Sequence, residues 1–201
     1  ADAETLNASG NTALATSPRN DTAAYVVMQR FQVDSVSNGT DDGKVVLNSL
    51  TLDDNTATAQ YAAVRVYSSP TSSTSLPTDA IEIGGTTGIW SGTTPTTITL
   101  SSTATVTTGT PLYIYVVFDM LAGQAPNTAQ SHVTAIGVAA PDTGATGLNF
   151  SSNLITLQAG GARATVVETS MQRAPAFVLA DAREARSLGR WVAANLAPIR
   201  A

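Results

Sequence analysis

The residues able to carry chemistry are few and scattered. The 201-residue chain holds a single histidine, His132, in the context Ser131-His132-Val133. A Ser-His-Asp triad would have to use it, yet the chain has no Gly-x-Ser-x-Gly elbow and no second histidine for a metal cluster. The absence of cysteine excludes disulfides, thiolate metal sites and a thiol nucleophile together. Glu4, Glu82, Glu168 and Glu184 show no pairing of the kind glycoside hydrolysis needs. Asp41-Asp42 and Asp53-Asp54-Asn55 could bind calcium together with backbone carbonyls, but EF-hand spacing is missing and solvated turns are the plainer reading. Gly84-Gly85 is not followed by the Gly-Lys-Ser/Thr of a phosphate loop. The reading is therefore a non-enzymatic protein with no catalytic residue, no cofactor and no metal.

Aromatic side chains offer a second kind of chemistry. Tyr61, Tyr67, Trp90, Tyr113 and Tyr115 could form a platform for the apolar faces of sugars, or could simply pack on the face of a sheet.

The elements that would position these residues read as β-strands. Tyr25–Val33 is β-branched and aromatic, with Phe31 and Val33 alternating against Arg30 and Gln32. Lys44–Leu52 places Val46, Leu50 and Leu52 on one face, and Ala62, Val64 and Val66 alternate with Arg65 and Tyr67. Ile81 with Ile83, Ile89-Trp90, and Ile98 with Leu100 continue the two-residue period. Pro111–Met120 is apolar on both faces and belongs at a sheet centre; Val133–Val138 and Asn149–Leu157 follow. Between them Ser68–Thr78, almost entirely Ser, Thr and Pro, reads as a long exposed loop. About eight to ten short strands with no helical period between them predict an antiparallel sandwich, Ig-like or jelly-roll-like.

Flanking segments differ in texture. Residues 1–24 carry only Leu6 and Leu14 as large aliphatics, too little apolar area to repay ordering, so disorder is expected there. Asp181 and Glu184 have capping-box spacing, and Ala185, Leu188, Val192 and Leu196 recur at three and four, so a helix is predicted over 181–196. Its other face bears Arg183, Arg186 and Arg190. The division is then an N-terminal extension 1–33, a sandwich 34–160 and a C-terminal extension 161–201.

Charge follows the same division. Charged residues are only 12% of the chain, 48 residues are Ser or Thr, and Lys44 is the one lysine, so hydroxyls must coat the surface. The net charge of −5 argues against nucleic acid, whose phosphates demand clustered cations. Residues 1–160 hold 4 basic and 12 acidic side chains, whereas 161–201 hold 6 and 3, so the two parts should attract. No window approaches the roughly 18 apolar residues of a transmembrane segment. The start at Ala1-Asp2-Ala3 is one that a signal peptidase could leave, and Asn7, Asn20, Asn38 and Asn149 head glycosylation sequons. A mature extracellular or cell-surface protein is expected.

The runs Leu47–Leu52, Val64–Tyr67, Ile98–Leu100 and Leu112–Asp119 together resemble an immunoglobulin-like β-sandwich module of secreted bacterial and archaeal surface proteins. The resemblance covers about half the chain and implies cell-surface architecture without active-site residues. The antibody-type cysteine pair is absent. Two functions fit. One is a structural subunit of a filament, sheath or surface layer built from copies of itself, with Tyr25, Val27, Phe31 and Val33 in a donated strand and Arg183, Arg186, Leu188, Arg190 and Val192 in a docking helix. The other is a monomeric adhesin or carbohydrate-binding module whose partner is a glycan.

Overall fold

A computed structural model describes residues 3–37, 42–100 and 104–160, and no helix occurs among them. The chain forms β1 (Thr5–Ala13), β2 (Arg19–Asn20), β3 (Val26–Val36), β4 (Lys44–Asp53), β5 (Tyr61–Ser69), β6 (Ile81–Gly85), β7 (Thr96–Thr99), β8 (Thr105–Thr107), β9 (Leu112–Met120), β10 (Thr128–Ala129), β11 (His132–Val138), β12 (Ala145–Ser151) and β13 (Ile155–Gln158). One sheet runs β1-β3-β9-β5-β6, all antiparallel. A second runs β12-β11-β4-β7, with β8 pairing the first half of β4. A small third sheet, β10-β13-β2, contains the one parallel ladder among the described residues.

Alternation explains why these segments are strands and which face each buries. In β9, Ile114, Val116 and Phe118 point inward and meet Leu47, Leu50, Leu52, Ile98 and Val133 of the facing sheet in one apolar core. As expected of a strand apolar on both faces, β9 is the middle strand of its sheet. Its other face, Tyr115 and Val117, joins Tyr67 in a second cluster flanked by Leu14, Val27, Leu76, Ala80 and Tyr113.

Several segments take a course that composition and period do not announce. Residues 5–13 are a strand: Leu6 is buried, and the ladder to β3 runs from Thr5↔Val36 to Ala13↔Gln29, so backbone pairing supplies the order that composition could not. Tyr25–Val33 lies in and beside β3, which is bonded to β1 on one side and β9 on the other, and residues 33 and 34 are successive residues of that strand. Asn149–Leu157 is two strands in different sheets, β12 and β13. A register shift between Tyr61 and Ala63 turns fully buried Tyr61 inward in place of Ala62, and Ile89-Trp90 supplies one isolated bridge, Tyr61↔Trp90, with Ile89 exposed. The helix predicted over 181–196 lies outside the described residues.

Both flanks of the sandwich are tied. On one, the β1 edge meets the second sheet through a Thr5↔Thr143 bridge and a hydrogen bond from Asn11 Nδ2 to the Ser151 carbonyl, 2.9 Å. On the other, Gly84 bridges Leu100. An added Cβ at Gly84 would stand 2.9 Å from both the Leu100 side chain and the Thr99 carbonyl, so a side chain there would wedge the two strands apart.

Candidate functional site

The outer face of the five-stranded sheet gathers the exposed chemistry. Loop 70–80 covers part of it and is pinned by side chains from the strands beneath. The Tyr115 hydroxyl donates to the Thr71 carbonyl at 2.7 Å and accepts from the Ser73 amide at 2.8 Å. Arg30 lies over the Tyr113 ring and donates to Ser72 Oγ at 2.6 Å, to the Ser73 carbonyl at 3.0 Å and to Thr12 Oγ1 at 3.1 Å. Asp79 accepts from the hydroxyls of Ser69 and Thr71, both at 2.7 Å, which hold its carboxyl below the ordinary value.

Beside the loop stands Tyr25, 56% exposed and with φ at 55°, a backbone setting uncommon for a bulky L-residue. Its turn is fastened to the end of β9 twice: the Tyr25 amide donates to Asp119 Oδ1 at 2.8 Å, and the Met120 amide donates to the Ala23 carbonyl at 2.9 Å. Arg65 lies 5.4 Å from the Tyr25 ring centroid and pairs with Asp119 (3.0 Å) and Glu82 (3.3 Å). The Asp119 hydrogen bond, above all, raises the Arg65 pKa and fixes its charge. Tyr67 donates to Glu82 at 3.0 Å, and burial with that carboxylate pushes its hydroxyl up to about 12.

Between Tyr25 and the loop lies a groove of about 240 Å³, walled by Leu14, Tyr25 and Val27, with Arg19, Thr74 and Ser75 supplying polar groups. Sequence reasoning named Tyr25 and Val27 but missed the others. Leu14 and Arg19 stand in a stretch expected to be disordered, and Thr74 and Ser75 in a loop whose path no periodicity records.

The remaining predicted residues scatter. Phe31 and Val33 are fully buried in the core. Arg183, Arg186, Leu188, Arg190 and Val192 lie outside the described residues. The five aromatics do not form one platform: Tyr61 and Trp90 pack with Phe118 in the interior, while Tyr67, Tyr113 and Tyr115 belong to the outer face.

His132 has structural partners. Its Nδ1 lies 2.9 Å from Asp53 Oδ1 and its Nε2 lies 3.1 Å from Asn149 Oδ1, so both ring nitrogens are occupied and no serine hydroxyl joins them. Asp53 also accepts from the Asn55 amide at 2.8 Å. Asp54 is buried under Gly92, whose added Cβ would fall 2.7 Å from its Cβ; burial first, then the charge of Asp53, pushes it up to about 6. Asp21 accepts amides of Gly160 (2.7 Å), Gly123 (3.0 Å) and Ala125 (3.3 Å), the first of which does most to hold its carboxyl below the ordinary range. Asp53 and Asp21 brace turns, whereas Asp54 Oδ2 is buried without a hydrogen-bond partner. Among the described residues no three His, Cys, Asp or Glu side chains surround a common metal position, and no helix is long and apolar enough to cross a membrane. No protein-family model matches the chain, and no curated protein is significantly similar to it.

Proposed function

We propose that the chain is a non-enzymatic structural subunit of an extracellular assembly, a pilus-like filament, sheath or surface layer of Ig-like modules, held by strand addition between copies and by docking of the C-terminal segment. The observation that carries this reading is the edge of the second sheet. β12 forms a ladder with β11 alone; on its other side β1 meets this flank at the Thr5↔Thr143 bridge and through the hydrogen bond from Asn11 to Ser151, and no ladder joins β1 to β12. An unpaired strand edge is a template for a neighbour's strand. Exchange of Tyr25–Val33 between copies is the less favourable route, because it would open two ladders of one sheet. The charge contrast between 1–160 and the basic segment 161–201, where Arg183, Arg186 and Arg190 alternate with Leu188 and Val192, favours contact of one copy's tail with the next copy's acidic domain.

The test is light scattering across a concentration series with electron microscopy of the same samples. Polymers are expected from the full chain. Deletion of 161–201 should reduce them to monomers, and Thr146→Lys on the β12 edge should shorten them. A monodisperse 20.6 kDa species at every concentration would overturn the reading.

A further inference from the structure

We propose that the groove beside Tyr25 is a subsite for one hexuronic acid residue of an acidic polysaccharide. The inference rests on the chemistry of the groove and is independent of assembly. Arg65 covers one face of the Tyr25 ring but is not a wall of the groove, so the ring is clamped from behind while more than half of the residue stays exposed. Pyranose rings present flat C–H faces, and an immobilised aromatic is the side chain that receives them at low entropic cost. Leu14 and Val27 extend the apolar wall, and Thr74 and Ser75 line the groove with them, Ser75 Oγ lying 3.4 Å from Ser73 Oγ.

Arg19 sets the sign of the ligand. The domain is strongly acidic, and of its three arginines Arg65 is paired to two carboxylates and Arg30 is committed to loop 70–80 and Tyr113. Arg19 is exposed, has no carboxylate within ion-pair distance among the described residues, and makes one 3.4 Å contact to Thr16 Oγ1. A guanidinium left without an acid in an acidic domain, at the mouth of an aromatic and hydroxyl-bearing groove, fits a carboxylate carried on a sugar ring. At about 240 Å³ the groove is smaller than the roughly 300–1,000 Å³ of pockets that enclose whole small molecules, which suits a single ring of a longer chain lying across it.

The experiment is saturation-transfer NMR on the full chain with trigalacturonate, its methyl ester and neutral maltotriose. Transfer should centre on ring protons of trigalacturonate and be at least roughly tenfold weaker for the ester and for maltotriose, the worth of one charge-assisted hydrogen bond. Arg19→Gln should abolish the preference for acid over ester, and Tyr25→Asn, which tolerates the positive φ, should remove binding to all three. Ile89→Ser, at an exposed residue outside the groove walls, should leave binding unchanged. Equal binding of acid and ester, or retention of both by the Arg19 and Tyr25 variants, would overturn the proposal. So would a third result: no transfer to any sugar, with concentration-dependent self-association that Tyr25→Asn abolishes, which would make the groove a contact between copies. Assembly lost through deletion of 161–201 while sugar binding persists would leave this site standing and separate the two readings.

Discussion

The two faces of β9 carry almost the same apolar load and are covered by opposite means. Inward, Ile114, Val116 and Phe118 meet a second sheet, and Phe118 stands 4.4 Å from Tyr61 and 5.6 Å from Trp90, ring to ring. Outward, Tyr115 and Val117 meet a loop that is nearly all Ser, Thr and Pro, held by hydroxyls and one guanidinium. One face is closed by shape and the other by hydrogen bonds. Close packing resists rearrangement at every methylene, whereas a polar lid lifts once a few bonds are lost. The contrast places rigidity in the core and adaptable surface beside Tyr25.

The largest effect should come from breaking the inner face. Phe118→Ala removes a ring with no exposed area and leaves a cavity among Tyr61, Trp90 and Val64, so urea unfolding should show a loss of about 3–5 kcal/mol. A loss below that range would mean that the core collapses around the gap and the two faces differ less than the packing implies. On the outer face, Tyr115→Phe removes one hydroxyl, takes the acceptor from the Ser73 amide and leaves the Thr71 carbonyl only a 3.4 Å hydrogen bond from Ser69 Oγ. The expected cost is about 1–3 kcal/mol, with amide exchange and proteolysis at loop 70–80 accelerated beyond the global change. Acceleration spread evenly over all strands would show that the loop is no separate unit.

This difference between the faces also marks what was legible in the sequence. Alternation identified β3, β4, β5, β9 and β11, because burial on one or both faces writes itself into a two-residue period. The both-faces-apolar pattern of β9 correctly announced a central strand. The period does not say what covers each face, so Tyr61 and Trp90 could not be told from Tyr113 and Tyr115. Segments held by backbone and polar bonds left no period at all. β1 shows only Leu6 as a large apolar residue, and the groove draws on Leu14, Arg19, Thr74 and Ser75, which come together only after β1, β2 and loop 70–80 are in place.

The inner face has its own polar weak point, and pH exposes it. Asp54 is buried beside Trp90 and Gly92, its Oδ2 has no hydrogen-bond partner, and its pKa is raised to about 6. The folded state therefore favours the protonated carboxyl over the unfolded chain's ordinary one. Its stabilising contribution is complete below about pH 4 and is lost as pH rises through about 6. Denaturation midpoints measured at about pH 5 and about pH 8 should fall toward the alkaline side, and Asp54→Asn should flatten that part of the profile. An unchanged slope in the variant would assign the dependence to another group.

The smallest effect is the most informative about the outer face. Tyr25→Gly relieves a positive φ that is worth about 1–3 kcal/mol in a non-glycine residue and gives up the stacking of Arg65 on the ring, worth about 0.5–1 kcal/mol at an exposed site. Glycine also adds freedom to the unfolded chain, which takes back part of the gain, so thermal unfolding should move by no more than a few degrees in either direction. A ring whose stacking does no more than offset the strain of its own backbone is not accounted for by packing, unlike Phe118 on the other side of the same sheet. Its use then lies in what it meets from outside. A large loss of stability in Tyr25→Gly would reverse that conclusion and make the ring part of the lid.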